Sequence, residues 1–182
     1  QQHAIGLGVE HVQANVASIK QHPNGDIAQL HCKQGMVISG DLFVDCSGFS
    51  SVLMQKTLGV KFNSYKDNLF NDSAVVAPTP MGAQLPVETT STALSAGWCW
   101  KIPLTNRFGN GYVYSSDFVS ANDAETELKK HLQLNENAEC RHLSMKVGAL
   151  AKQWQNNCLG IGLSAGFIEP LEATALHLTQ IS

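Results

Sequence analysis

The side chains with a chemical use are concentrated in two stretches of this 182-residue chain. In Gly97-Trp98-Cys99-Trp100-Lys101-Ile102-Pro103, two of the three tryptophans stand one residue apart. Side chains alternate along a strand, so Trp98 and Trp100 would share a face and form a flat aromatic wall. Pro103 would end the pairing beside them. Such a wall suits a site that excludes water or holds a planar molecule. It equally suits a hairpin core, where aromatic pairs are common packing anchors. In the second stretch, Gly160 to Glu172, a strand runs into a glycine-rich bend and then the start of a helix. Free backbone N–H groups at a helix start attract an anion, so Leu171 to Thr174 could hold a halide, a phosphate or a cofactor edge. Glu172 in that turn is either an active carboxylate or a complement to the helix dipole.

A third stretch, Asp41 to Phe49, reads as an apolar strand ending in a small-residue turn. Such a turn lets a phosphate-bearing cofactor approach the backbone, and it is also what an ordinary buried strand looks like. Gly6-Leu7-Gly8 lacks the third glycine and the preceding strand of a dinucleotide fingerprint. No Ser-His-Asp order and no phosphate-binding loop of the P-loop kind is present. The seven histidines show no ligand spacing, so no metal site is expected. The five cysteines form no CxxC. Cys46, Cys99 and Cys158 lie in apolar runs and read as buried, reduced thiols of a cytoplasmic protein. A net charge of -3 argues against nucleic acid, and no apolar run has membrane-spanning length. With 43% apolar and 15% charged residues, the chain is globular rather than disordered.

The elements that must position these residues are mostly strands. His11 to Lys20 and Ile27 to Lys33 flank the His22-Pro23-Asn24-Gly25-Asp26 turn signal. Met36 to Ser39, Asp41 to Cys46, Ala74 to Ala77, Thr89 to Ser95, Cys140 to Val147 and Cys158 to Ile161 follow as further strands. Gly97 to Leu104 and Gly111 to Ser115 form a hairpin joined through residues 106–110. Ser50 to Leu58 is a short helix. Ala121 to Leu132 is an amphipathic one, with Ala124, Leu128 and Leu132 on one stripe and Ser120 or Asn122 as N-cap. Lys129-Lys130 with Glu125 and Glu127 reads as its solvated face. Pro170 to Ile181 is the last helix. Strands arriving in runs predict an α+β fold with a large, mainly antiparallel or mixed sheet.

In order along the chain, four segments resemble those of the flavin-dependent tryptophan halogenases. Asp41 to Phe49 is similar to the family's DLFIDCSG segment, Ser95 to Pro103 to SAGWxWxIP, Gly111 to Ser116 to GYVYSS, and Gly162 to Thr174 to GLSAGFIEPLEST. The resemblance implies part of a two-domain, FAD-dependent monooxygenase-like fold. Residues 1–60 and 155–182 would lie on the flavin-binding side, and residues 61–154 would form the substrate-side sheet and helix. It implies that reduced FAD, supplied by a separate flavin reductase, acts with O2 and chloride or bromide to halogenate tryptophan or a related indole. Glu172 matches the family's active-site glutamate. Thr174 and Ala175 match the positions whose N–H groups bind halide. Leu163, Leu176 and Val16 match flavin-contacting positions, and Trp98 and Trp100 wall the active site. Ala173 and Ala175 stand where the family usually has Ser and Gly, and a Cβ at the latter narrows the halide pocket. Ser50-Ser51 replaces the usual Arg-Gly. The family's lysine and glycine-rich FAD loop have no counterpart in these residues, so the expectation is an interior piece, inactive alone, of a cytoplasmic enzyme, with a second copy in a homodimer among its expected partners. A flavin hydroxylase on the same scaffold, or a non-catalytic flavin-fold binding protein, are the competing readings.

Overall fold

A computed structural model describes residues 1–82 and 86–168. It opens with a short helix, α1 (Gln2–Gly6), that buries no side chain. The first strand begins later than the sequence predicts. β1 (Val16–Gln21) starts at Val16 because its partner β2 (Ile27–Cys32) ends at Cys32, the residue opposite. Between them the His22 N–H donates to the Asp26 carbonyl, with Gly25 at φ 89. β3 (Val37–Ser39) and β4 (Phe43–Asp45) follow. The expected helix at Ser50 to Leu58 forms as a wide π-type turn over Val52–Thr57. β5 (Phe62–Ser64), β6 (Ser73–Val76) and β7 (Thr79–Pro80) come next, then β8 (Thr90–Leu94) and β9 (Gly97–Pro103). β10 (Arg107–Tyr114) is longer than expected, since residues 107–110 pair with the end of β9 rather than looping. After α2 (Ala121–His131) the chain forms β11 (Arg141–Ser144), β12 (Gly148–Leu150), β13 (Trp154–Gln155), β14 (Cys158–Gly160) and β15 (Gly166–Phe167). The helix expected from Pro170 lies outside the described residues.

Two units emerge. Gln1–Lys61 with Lys152–Ser164 holds the antiparallel sheet β1-β2-β3 and the small sheet β13-β14-β4, in which β14 and β4 run parallel. Phe62–Ala151, with residues 165–168, holds the large sheet, ordered β11-β6-β10-β9-β8 with β7 beside β10, and the small sheet β15-β12-β5. The fold is α+β with a mixed set of sheets and few helices, as expected.

In the second unit, one face of the large sheet carries the core. Val75, Ala77, Cys99, Tyr112 and Tyr114 pack under α2, whose Ala124 and Leu128 are completely buried. The helix is placed there by its sequence. Ser120 caps it, accepting the Asp123 N–H and donating to the Asp123 carboxylate, while Lys129, Lys130 and His131 fill its last turn. Leu132 is only partly buried at the edge of this stripe. Of the three cysteines expected inside, Cys99 and Cys158 are buried and Cys46 is exposed. Cys46 follows directly on the last residue of β4, where the pairing with β14 has ended and the chain turns outward.

Candidate functional site

The tryptophans occupy the face of the large sheet opposite the core. Cross-strand register sets Trp98 against Val113 and Ala93, and Trp100 against Gly111 and Ser91. Cys99, between them, points to the α2 side and is buried, which pushes its thiol up to about 11. The two indoles do share a face, but they do not make the flat wall expected. Their centroids are 6.0 Å apart and the rings are inclined at 59°. Tilted pairs are favoured because the edge of one ring meets the electron-rich face of the other. Trp100 lies across the backbone of β10 at Gly111, where an added Cβ would come 2.1 Å from its Cζ2 atom. Gly111 is thus the residue that lets the second indole lie down against the sheet.

No ionisable side chain stands at the positions flanking the indoles in register, which are Ser91, Ala93, Gly111 and Val113. The surface can exclude water and stack a planar molecule. Any proton transfer beside it must come from other residues. The hairpin is held at its turn. The Ser95 N–H and hydroxyl both donate to the Glu127 carboxylate, at 2.9 and 2.6 Å, and the Ala96 N–H donates to the Tyr112 phenol oxygen at 2.9 Å. Glu127 is therefore not part of a solvated helix face, as its neighbours suggested. Glu125 and Lys129 pair at 2.6 Å, with both side chains half-buried.

In the first unit, the Asp41 to Phe49 segment has a definite construction. The Asp45 side chain is 1% exposed and accepts four hydrogen bonds: from the Ser47 N–H and hydroxyl at 2.9 and 2.5 Å, and from the Leu53 and Met54 N–H groups, both at 2.9 Å. One carboxylate thus ties the loop after β4 to the start of the π-type turn, where N–H groups have no helical partner. The Asp45 carbonyl accepts from the Ile161 N–H at 3.0 Å and from the Ser164 hydroxyl, so the loop after β14 is joined to the loop after β4. Burial and the Asp45 charge push the neighbouring Cys158 thiol up to about 11.

Ser51 completes this junction. It sits in the left-handed region, φ 38 and ψ 58, which explains why a glycine is usual at the position in the family it resembles. Its buried hydroxyl donates to the Ser164 carbonyl at 3.0 Å and offsets that strain. Outside the junction, Cys46 and Leu163 are exposed, and Gly48 and Gly162, both with positive φ, face open space. Two rigid, glycine-bearing loops leave the carboxyl ends of adjacent parallel strands, the place where open parallel sheets receive cofactors. These residues fit a phosphate-bearing cofactor.

Of the residues singled out in the sequence, Trp98 and Trp100 are brought together in one unit. Val16 and Leu163 both belong to the other, each with an accessible side chain, 43% and 40% exposed. Glu172, Thr174, Ala175 and Leu176 lie outside the described residues. Among the described residues, no group of three or more His, Cys, Asp or Glu could hold a metal, and no helix is long and apolar enough to cross a membrane. Sequence reasoning passed over Gly111, Asp45 as an individual residue, and Glu127. The strand motif did contain Asp45, and an Asx-type signal two residues before Ser47 could have found it. Nothing local marks Gly111 or Glu127, whose partners are 11 and 32 residues away.

A family model described as tryptophan halogenase matches residues 1–182. The chain is 43% identical over 178 residues to the 7-chloro-L-tryptophan 6-halogenase of Kutzneria sp. (strain 744), covering 96% of this chain and 34% of that protein. Among solved structures, it superposes with a TM-score of 0.94 on a tryptophan 6-halogenase from Streptomyces toxytricini, 42% identical, over 98% of this chain and 36% of the other. A flavin-dependent halogenase from Xanthomonas campestris gives 0.93 at 37% identity, over 99% of this chain and 37% of the other. The chain spans about a third of the length of the curated relatives it matches.

Proposed function

The chain belongs to the tryptophan halogenase family, and on that premise we propose that the full-length protein is an FAD-dependent enzyme that uses O2 and halide to halogenate tryptophan or a related indole. The observation that carries the reading is the placement of Trp98 and Trp100 together on the face of the large sheet turned away from α2, on a Gly-Trp-Cys-Trp-Lys-Ile-Pro strand. When bound, reduced FAD together with O2 would supply the two-electron oxidation of halide to an electrophilic halogen.

The contribution of this chain's residues can be stated one by one. Leu163 and Val16, with Leu176, would contact the flavin, and the Asp45-tied loops at Gly48 and Gly162 would give it a rigid seat. Thr174 and Ala175 would present N–H groups to chloride or bromide. Ala175 stands where the family usually has glycine, and a Cβ there would narrow that pocket. Glu172 would position the electrophile, or stabilise the cationic ring formed as the halogen adds. The indoles of Trp98 and Trp100 would keep the channel dry, which matters because an electrophilic halogen species is lost to side reactions in water. A flavin reductase would deliver the reduced cofactor. Residues 1–60 and 155–182 would serve the flavin, and residues 61–154 the substrate side.

The test is made on the full-length protein with a reduced-flavin supply, tryptophan, and chloride or bromide. Halogenated tryptophan is the expected product, and Glu172→Gln should abolish most of it while FAD binding persists, since the change removes charge and little volume. Hydroxylated product without halide dependence would establish instead the hydroxylase reading. Flavin binding with no product from indoles or phenols would leave a non-catalytic protein.

A further inference from the structure

The hairpin that carries the two indoles turns through only Ser95 and Ala96, between the paired residues Leu94 and Gly97. Two-residue hairpin turns favour the I′ and II′ forms, which need positive φ at one or both central residues. Neither residue has it. Among described non-glycine residues, positive φ is confined to Ser51, Gln133 and Asn156. The turn therefore lacks the geometry that ordinarily sets the register of a hairpin. Register has a particular consequence here, since a slip of one residue sends every side chain of a strand to the other face. Because β9 is also paired with β10 over seven residues, a slip at this turn would move β8, the outer strand, and would take Ala93 and Ser91 from beside Trp98 and Trp100.

The turn is instead held from outside. Glu127 on α2 receives both donors of Ser95, and the completely buried Tyr112 receives the N–H of Ala96. The Tyr112 oxygen also lies 3.5 Å from the Ser95 hydroxyl oxygen. Both anchors have positions set by the core, because Ala124 and Leu128 seat the helix directly against the cluster that contains Tyr112. Burial opposes the charge on Glu127, but its hydrogen bonds from Ser95 and Tyr112 outweigh that and lower its pKa. The carboxylate is ionised across the neutral range.

We propose that Glu127 is the positioning residue of the tryptophan hairpin: its carboxylate takes the part that a left-handed residue plays in other two-residue turns, and so keeps β8 in register, with Ala93 and Ser91 beside Trp98 and Trp100. The register argument stands by itself, while its consequence for catalysis rests on the reading of that face as the wall of a halogenation site.

The experiment uses the full-length protein. It reads the near-ultraviolet circular dichroism of the indole pair, taken as the part of the spectrum that Trp98→Phe removes. Glu127→Ala should diminish this signal more than Glu127→Gln does, as β8 leaves the side of the indoles, with halogenated product falling on the order of ten-fold, as small misplacements at positioned sites do. The decisive arm is rescue. Ser95→Asn with Ala96→Gly installs a turn whose intrinsic preference is type I′. Added to Glu127→Ala, or to Glu127→Gln if the former does not fold, it should restore both signal and product. An unchanged indole signal in folded Glu127→Ala overturns the proposal. So does a lost signal that the new turn fails to restore. Loss and rescue of the signal with halogenation unaffected throughout supports the clamp, and sinks the assignment of the tryptophan face to the site wall.

Discussion

Two carboxylates in this molecule do the same job in opposite ways. Asp45 is buried and ties a loop made of its own neighbours: Ser47, Leu53 and Met54. Glu127 is half-buried and ties a turn 32 residues away. In each case a carboxylate acceptor fixes a backbone that propensity alone leaves open. The difference lies in what failure would cost. Removing Asp45 strands the two buried N–H groups of Leu53 and Met54. Removing Glu127 frees a turn that can rehydrate. Asp45 therefore stabilises its unit, whereas Glu127 selects between two arrangements of a sheet face.

The sharpest way to break this comparison is Asp45→Ala. Leaving the Leu53 and Met54 N–H groups unpaired costs about 1–3 kcal/mol each, so a loss of roughly 3 kcal/mol or more is expected in chemical denaturation, together with weakened flavin binding. A change under about 1 kcal/mol would mean that the loop is organised by something other than the carboxylate.

Gly111→Ala is expected to cost about 1–3 kcal/mol, as overpacking does. It acts on the indole directly, because the new Cβ meets the Trp100 ring. Its fluorescence should shift toward that of a hydrated indole while the α2 core stays intact. If Trp100 emission is unmoved, the glycine is not what admits the ring.

Acid should release the turn that Glu127 holds. Glu127 has a lowered pKa in the folded chain, so its contribution is complete above its ordinary value of 4.5 and is lost as pH falls through the lower folded value. The indole-pair signal should follow that loss, and Glu127→Gln should be flat over the same range. A signal that titrates identically in Glu127→Gln would assign the effect to another group.

The smallest effect is expected from Ser51→Gly. It relieves a left-handed backbone worth about 1–2 kcal/mol and gives up one buried hydrogen bond of net value about 0.5–1.5 kcal/mol. Stability should change by less than about 1 kcal/mol. A loss well beyond that would show the hydroxyl to be a principal tie between the two strand-end loops.

Much of this was legible in local pattern. The Ala124 and Leu128 stripe and the Ser120 cap mark α2 to within a residue. The alternation in Gly97 to Pro103 puts Trp98 and Trp100 on one face, as β9 does. The short strands β12, β13 and β15 were not legible, because two or three residues carry no periodicity until a partner strand selects them. The tilt of the indoles depends on Gly111 across the sheet, and the outward turn of Cys46 on where β14 stops pairing.

The division follows from the range of the forces involved. Strand alternation, helix capping and the order of the motifs are properties of neighbouring residues, so the sequence alone determined which residues share a face and which family the chain resembles. Which face receives the core, what holds a turn that lacks its usual φ, and how the two loops at the parallel strand ends are joined all depend on groups brought together by packing. Glu127 and Ser95 illustrate the limit. Each is unremarkable in its own segment, and their hydrogen bonds exist only once Leu128 has seated the helix against the sheet.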